Sequence, residues 1–265
     1  NPRMSIPLIN PKYTSDEAQT TLRKQFETAI PCRHLVLDNF LDQELADKLF
    51  ANFPSLESLN VKRKSLNEEK AEDYHFERWD PAFSDLRKVV GSEEFYQWMR
   101  KVTGVEGLIT TTDSLGSGVH QGGNGSYVDV HGDVNMNPEA GLWRRVNLLI
   151  YLNKEWKEEY GGHLKLEHSE TGEKAEIGVP FNRLAIMQCR GYTLHGYDKI
   201  NFPPGKARLS MATYAFSIHE KQQESARTTK WKVDKSNPVK YILSKLWVPA
   251  VKVKSIFFKS KTGDH

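Results

Sequence analysis

The feature that most constrains this chain is a series of short β-rich runs between residues 108 and 217, each closed by turn residues. The runs are Leu108 to Ser114, Val128 to Asp133, Val146 to Leu152, His163 to Glu167, Leu184 to Met187 and Leu209 to Ser217. Gly122-Gly123-Asn124-Gly125, Gly161-Gly162 and Pro203-Pro204-Gly205 punctuate them, because Gly supplies positive φ and Pro withholds an N–H. Several short strands at this spacing imply an all-β sandwich or barrel, and a double-sheet jelly roll fits the count. What precedes reads as helix. Ser15 caps a run with Leu22, Phe26 and Ile30 on one face; Leu41 to Phe50 repeats Leu41, Leu45 and Leu49; and Asp80-Pro81 opens a helical pair that reaches Thr103, split near Gly91-Ser92. His34 to Asp38 is a short strand. Residues 61–78 are mostly charged and read as a solvated loop, with a mobile lid as the functional alternative. The expected fold is therefore mainly β with flanking helices, a double-stranded β-helix with N-terminal helices packed on one sheet.

The run Tyr127-Val128-Asp129-Val130-His131-Gly132-Asp133 carries the chemistry. As a strand of period two it sets Tyr127, Asp129, His131 and Asp133 on one face and Val128 and Val130 on the other. An imidazole and a carboxylate two residues apart can bind one small cation. One further histidine from another strand would complete a 2-His-1-carboxylate facial triad with open positions, and Leu194-His195-Gly196 supplies the candidate.

Composition narrows the classes. The chain has 265 residues, 38% of them hydrophobic, enough for a full core in one domain. No apolar run reaches bilayer-spanning length, and no signal peptide opens the chain, so membrane contact is not expected. Asn1-Pro2-Arg3 ahead of Met4 reads as an expression remnant. Cys32 and Cys189 make neither a disulfide framework nor a thiolate zinc site, and a reducing cytoplasm is the simplest home. The net charge of +3 is unevenly spread: residues 221–265 hold 11 Lys and Arg against 3 Asp and Glu, or +8, leaving 26 against 31, or −5, in residues 1–220. The division expected is one domain over 4–220, with helical support over 4–104 and a jelly-roll core over 105–220, and a basic extension over 221–265. No nucleic-acid-binding module accompanies the basic tail, and Gly122 to Gly125 leads into a strand and not a helix, which argues against a phosphate loop.

Gly123-Asn124-Gly125, His131-x-Asp133, Tyr151-Leu152-Asn153-Lys154-Glu155-Trp156, Gly161-Gly162-x-Leu164, Phe181-Asn182-Arg183-Leu184, His195 and Arg208-x-Ser210 resemble, in order and spacing, the successive landmarks of the prolyl-hydroxylase-like Fe(II)/2-oxoglutarate-dependent dioxygenases. The resemblance covers roughly residues 105–217 and not the tail. It implies that His131, Asp133 and His195 hold Fe(II), leaving sites for 2-oxoglutarate and O2. It also implies that Arg208 takes the far carboxylate of 2-oxoglutarate in a bidentate, charge-assisted pair, with Ser210, Tyr151 and Asn147 in support. A carboxylate at Asp133 favours hydroxylation, since related halogenases have a small residue there.

The activity so implied is hydroxylation of an unactivated C–H bond of an amino-acid-like or natural-product small molecule, with release of succinate and CO2. A peptide hydroxylase of the prolyl type is the alternative. A cupin-type metal enzyme would be expected to show a His-x-His pair, and a non-catalytic jelly-roll binding module would not need the triad and arginine together. Asp129 and Tyr127 on the inward face and Arg144 and Arg145 at the rim, with Trp143, Tyr192 and Tyr197, are the candidate substrate residues. In the tail, Val239, Ile242, Leu243, Leu246 and Trp247 fall near helical spacing before Pro249, an apolar face with a basic rim that would dock on the body or make a homodimer.

Overall fold

Four helices, each opened by a side-chain cap, come ahead of most of the sheet. Ser15, Asp42, Asp80 and Ser92 accept hydrogen bonds from the first-turn backbone of α1 (Asp16–Thr28), α2 (Gln43–Ala51), α3 (Pro81–Val90) and α4 (Glu93–Thr103). The break between α3 and α4 falls at Gly91 and Ser92, as the sequence predicts, and α4 ends on Gly104 at φ 72°, where a left-handed residue closes the last turn. The computed structural model describes residues 6–111, 117–137, 141–217 and 226–243.

Among the described residues up to Ser217 the strands are β1 (His34–Asp38), β2 (Val61–Lys64), β3 (Glu68–Asp73), β4 (Ile109–Thr110), β5 (Gly118–Gly122), β6 (Tyr127–Gly132), β7 (Met136–Asn137), β8 (Leu142–Tyr151), β9 (Leu164–His168), β10 (Lys174–Ile177), β11 (Arg183–Gln188), β12 (Thr193–Tyr197) and β13 (Arg208–Ser217). They pair in the order β1-β11-β8-β13-β5-β3-β6-β12-β9-β10, antiparallel throughout, and curl into the half-barrel of a jelly roll. Period two then divides each long strand between two environments. On β8, Val146, Leu148 and Ile150 enter the core shared with Phe26, Leu49, Phe83 and Trp98 of the helices. Leu149 and Tyr151, one residue out of phase, face the open side of the curl. Burial of each large apolar side chain contributes about 1.5–3 kcal/mol, so the helical layer holds one sheet rigid while its other face is left for the site.

Residues 61–78 are not a loop. They form the β2–β3 hairpin and a 3-10 turn at Phe76–Arg78, and the other edge of β3 pairs with β5 and β6 end to end, with Ala71, Glu72 and Asp73 buried. The strand was hidden because the residues that enter it are charged and satisfy one another. Arg63 Nη2 lies 2.6 Å from Glu72 Oε1, and Asp73 accepts from the Asn60 and His75 backbone and from Arg78 Nη1. Strand β5, bounded by Gly118 and Gly122, and the charged edge strand β10 also gave no hydrophobic run to read. The first compact unit runs to Lys230. The second begins at Trp231; its described part carries a short helix over 238–243, in which Asn237 accepts from the Lys240 backbone, and the rest of the tail face, from Leu246 on, lies outside the described residues. Among the described residues no helix is long and apolar enough to cross a membrane.

Candidate metal centre

β6 and β12 bring the sequence-distant histidines together. His131 and His195 are direct cross-strand partners, with ring centroids 4.5 Å apart. Asp133, just past the end of β6, turns back so that its Oδ1 lies 3.2 Å from His131 Nε2 and its Oδ2 3.7 Å from His195 Nε2. One donor atom from each residue falls within 4.8 Å of the others. Ligands on adjacent corners of an octahedron with bonds of about 2.1 Å lie about 3 Å apart, so the three donors fit a single hexacoordinate ion with one face open.

The protonation states suit that ion. Burial drives the His195 imidazole down to about 4, against the pull of the Asp133 charge and helped by the cationic surroundings of Lys70 and Arg144, so the ring is neutral near pH 7 with a lone pair to offer. Burial would raise the Asp133 carboxyl, but the His195 and His131 rings and Arg144 hold it well below the usual carboxylate range. His131 Nδ1 lies 2.8 Å from the Asp129 carbonyl, which orients the ring with Nε2 toward Asp133.

Period two fails inside β6. Between the pairs His195–His131 and Tyr197–Val128, β12 advances two residues and β6 three, a β-bulge. Val128 therefore shares the cleft with His131, and Tyr127 and Asp129, expected to face inward, do not line it. Tyr127 Oη donates to the Ser65 and Leu66 carbonyls, and Asp129 Oδ2 accepts from Asn67 Nδ2 at 3.2 Å, so both residues tie down the β2–β3 turn.

The cleft extends from the three donors to Arg208. Arg208 is buried, spends Nε on the Gly162 carbonyl at 2.8 Å, and packs its guanidinium 3.8 Å from the Tyr197 ring centroid and 5.1 Å from that of Tyr151. A Cβ at Gly162 would lie 3.1 Å from Arg208 Cδ, so the glycine makes room for the arginine. The Arg208 guanidinium also hydrogen-bonds the Tyr151 phenol, and its five N–H donors leave others to offer a carboxylate. Ser210 stands directly across from Tyr151, both buried, and burial raises the Tyr151 phenol against the Arg208 charge, which keeps it a proton donor. Tyr197, expected at the rim, is buried with its hydroxyl 2.7 Å from Ser126 Oγ.

Asn147, expected beside the cosubstrate carboxylate, instead donates from Nδ2 to Asp133 Oδ2 at 2.6 Å. Arg144 and Arg145 part company at a second bulge, on β8 between the Ala215 and Phe216 pairings. Arg144 turns in, 3.6 Å from Asp133 Oδ2 and 3.7 Å over the Tyr214 ring, while Arg145 Nη1 donates to Ser217 Oγ. Lys70 and Glu72 gave no sequence signal because their strand reads as a loop; Tyr214, in phase with Arg208 and Ser210 on β13, and Arg227, which donates to the Asp133 carbonyl, were not singled out. His120 is at the cleft wall, beside Lys70 and Glu72. Burial pushes the Glu72 carboxyl up, but His120, Lys70 and Arg63 together bring it down to about 2.

Residues 117–216 match the family model of the 2OG-Fe(II) oxygenase superfamily. No curated protein matches the chain. Among solved structures, a Pseudomonas putida prolyl-4-hydroxylase is similar over 75% of this chain and 100% of its own, at 15% identity and a TM-score of 0.52. A Trichoplax adhaerens prolyl hydroxylase, in complex with a hypoxia inducible factor peptide fragment, covers 76% of this chain and 91% of its own at 17% identity and TM-score 0.51. HygX from Streptomyces hygroscopicus, with nickel and 2-oxoglutarate bound, covers 75% and 87% at 12% identity and TM-score 0.50. At these identities the structural likeness establishes the fold.

Proposed function

We propose, from the premise that the chain belongs to the 2OG-Fe(II) oxygenase superfamily and is a 2-oxoglutarate-dependent dioxygenase, that it hydroxylates an unactivated C–H bond of a small molecule. The observation that carries the reading is the convergence of His131, Asp133 and His195 at one end of a cleft whose other end is the buried Arg208. In this reading the three residues hold Fe(II), and Arg208, with the Ser210 hydroxyl and the Tyr151 phenol, holds the far carboxylate of 2-oxoglutarate. Fe(II), 2-oxoglutarate and O2 together supply an oxidative decarboxylation that releases CO2 and succinate and oxidises the substrate C–H bond.

The chain's own work is positional. Asn147 and Arg144 hold the Asp133 carboxylate charged and oriented through its Oδ2. The Asp129 carbonyl fixes the His131 ring. The buried Tyr151 and Leu164, with the half-buried Leu149, line the cleft and exclude water from the reacting groups, which strengthens each polar contact made there. A reducing cytoplasm suits two free thiols, Cys32 and Cys189, that are both buried, with burial pushing Cys32 up to about 11.

A peptide substrate of the prolyl type is the competing reading, on the strength of the two hydroxylases to which the chain is similar in fold. One assay separates them. Protein supplied with Fe(II), 2-oxoglutarate and O2 should form succinate above its basal rate with a small-molecule panel, and the product should gain one oxygen by mass. Stimulation by proline-containing peptides and by no small molecule would transfer the assignment to peptides. Absence of succinate under every condition would leave a binding module.

A further inference from the structure

The cleft holds a cation that neither the metal nor the cosubstrate uses. Lys70 projects from β3 into the same cleft as Asp133, His195 and Tyr214. Its ammonium lies 3.2 Å from His120 Nδ1 and 3.5 Å from Glu72 Oε2. An ammonium has three N–H donors and no acceptor, so two are turned along the sheet and one remains for a ligand. The lysine is not a floppy surface group: its side chain is 18% exposed, and β3 is locked by β2 along one edge and by β5 and β6, end to end, along the other.

Glu72 does not cancel this charge. Its carboxylate is shared between Arg63, Lys70 and His120, and Arg63 takes the shortest contact at 2.6 Å. A second cation stands behind the wall: Arg144, nine-tenths buried, with its guanidinium over the Tyr214 ring and its Nε without a hydrogen-bond partner. Around the cleft, then, the carboxylates Asp133 and Glu72 face Arg63, Lys70, Arg144 and Arg208. The two charges of Fe(II) and the two of 2-oxoglutarate cancel, so the loaded cleft keeps an excess of positive charge away from water, where an uncompensated charge is costly.

We infer that Lys70 receives an anionic group of the substrate, a carboxylate or a phosphate monoester, with Arg144 contributing its field from behind Asp133 and Tyr214, so that the substrate is an organic acid. The inference rests on the oxygenase reading above, in which Arg208 is already committed to 2-oxoglutarate. Lys70 is a specificity-determining residue in this account, and its loss should act on substrate and not on cosubstrate.

The test uses the full chain and a panel in which each organic acid is paired with its neutral amide and each phosphate monoester with its parent alcohol. Two readouts are taken: succinate formation with Fe(II), and calorimetric binding to the protein loaded with Zn(II) and 2-oxoglutarate. The acid member of a pair should bind and stimulate, and which pairs respond tells carboxylate from phosphate. Lys70→Met should weaken binding of that acid and raise its KM about tenfold to a hundredfold, with 2-oxoglutarate affinity unchanged. Lys70→Arg should restore much of it, and matched melting curves exclude a folding defect. The inference is overturned if the neutral partners respond equally, if no acid responds, or if Lys70→Met weakens 2-oxoglutarate instead. If wild-type protein fails to bind 2-oxoglutarate, or Arg208→Leu leaves that affinity intact, the oxygenase reading itself falls and takes this inference with it.

Discussion

Both oxygens of Asp133 are engaged, Oδ1 beside His131 and Oδ2 by Asn147, with His195 and Arg144 close by. Replacing Asp133 by Ala should abolish metal binding in equilibrium dialysis and reduce succinate formation to background, with the fold kept, because sheet pairing and not the carboxylate positions the histidines. Asn147→Ala removes only the group that orients it and should cost about tenfold to a hundredfold in metal affinity; an unchanged affinity would deny Asn147 a positioning role. At the other end of the cleft, Arg208→Leu leaves a cosubstrate carboxylate without its charge-assisted partner, a loss of about 3 kcal/mol. The 2-oxoglutarate dissociation constant should rise by roughly two decades at ~1.4 kcal/mol each, with metal affinity intact. Equal 2-oxoglutarate binding by the variant would move that role to another residue.

At the scale of elements, the bulge in β6 decides which side chains meet. It depends on close approach of β12, since a Cβ at Gly196 would lie 2.5 Å from the Val128 carbonyl oxygen and 2.9 Å from the Asp129 carbonyl carbon and oxygen. Backbone cannot yield as a side-chain tip can, so Gly196→Ala should cost about 1–3 kcal/mol and should also weaken metal binding by spreading His131 from His195. Gly132→Ala serves as the control, because a Cβ there would meet Leu194 Cδ2 at an ordinary 3.5 Å; equal damage from both would remove the bulge from the explanation. Strand β3 makes a separate contribution through Glu72, whose carboxyl stands at about 2 against an ordinary 4.5. A depressed carboxyl stabilises the fold above its unfolded value and loses that effect as the pH falls toward its folded one, here from 4.5 down to about 2. The stability difference between wild type and Glu72→Gln, measured by denaturant unfolding, should be about 3 kcal/mol near neutral pH and should shrink steadily below that window's upper edge. A difference independent of pH would mean that the pairing with Arg63 and Lys70 is not what holds β3.

For the whole molecule, the helices share a core with one face of the sheet, the first compact unit runs through Lys230, and Trp231 opens a second. We propose that this second unit serves stability or self-association and not chemistry. Removal of residues 231–265 should leave metal and 2-oxoglutarate affinities unaltered while lowering the melting temperature or changing the oligomeric state in sedimentation. A truncated protein equally stable and equally assembled, but unable to bind anionic liposomes, would assign the basic tail to a membrane surface instead.

Much was legible from local pattern alone. Caps at Ser15 and Asp80, the split at Gly91 and the glycine-punctuated β runs announce themselves through short-range chemistry, while His195 joined His131 and Asp133 only as a candidate and through the resemblance of the motifs. What local pattern could not carry was anything that depends on register or on a distant partner. A one-residue bulge turned Asp129 and Tyr127 out of the cleft and Val128 into it, because period two holds only while the ladder is unbroken. A second bulge chose Arg144 over Arg145. The charged segment around Lys70 and Glu72 looked solvated because its counter-charges lie on Arg63, on the neighbouring strand of its hairpin, and on His120, some fifty residues away; only the closed sheet brings them together and makes that strand a wall of the site.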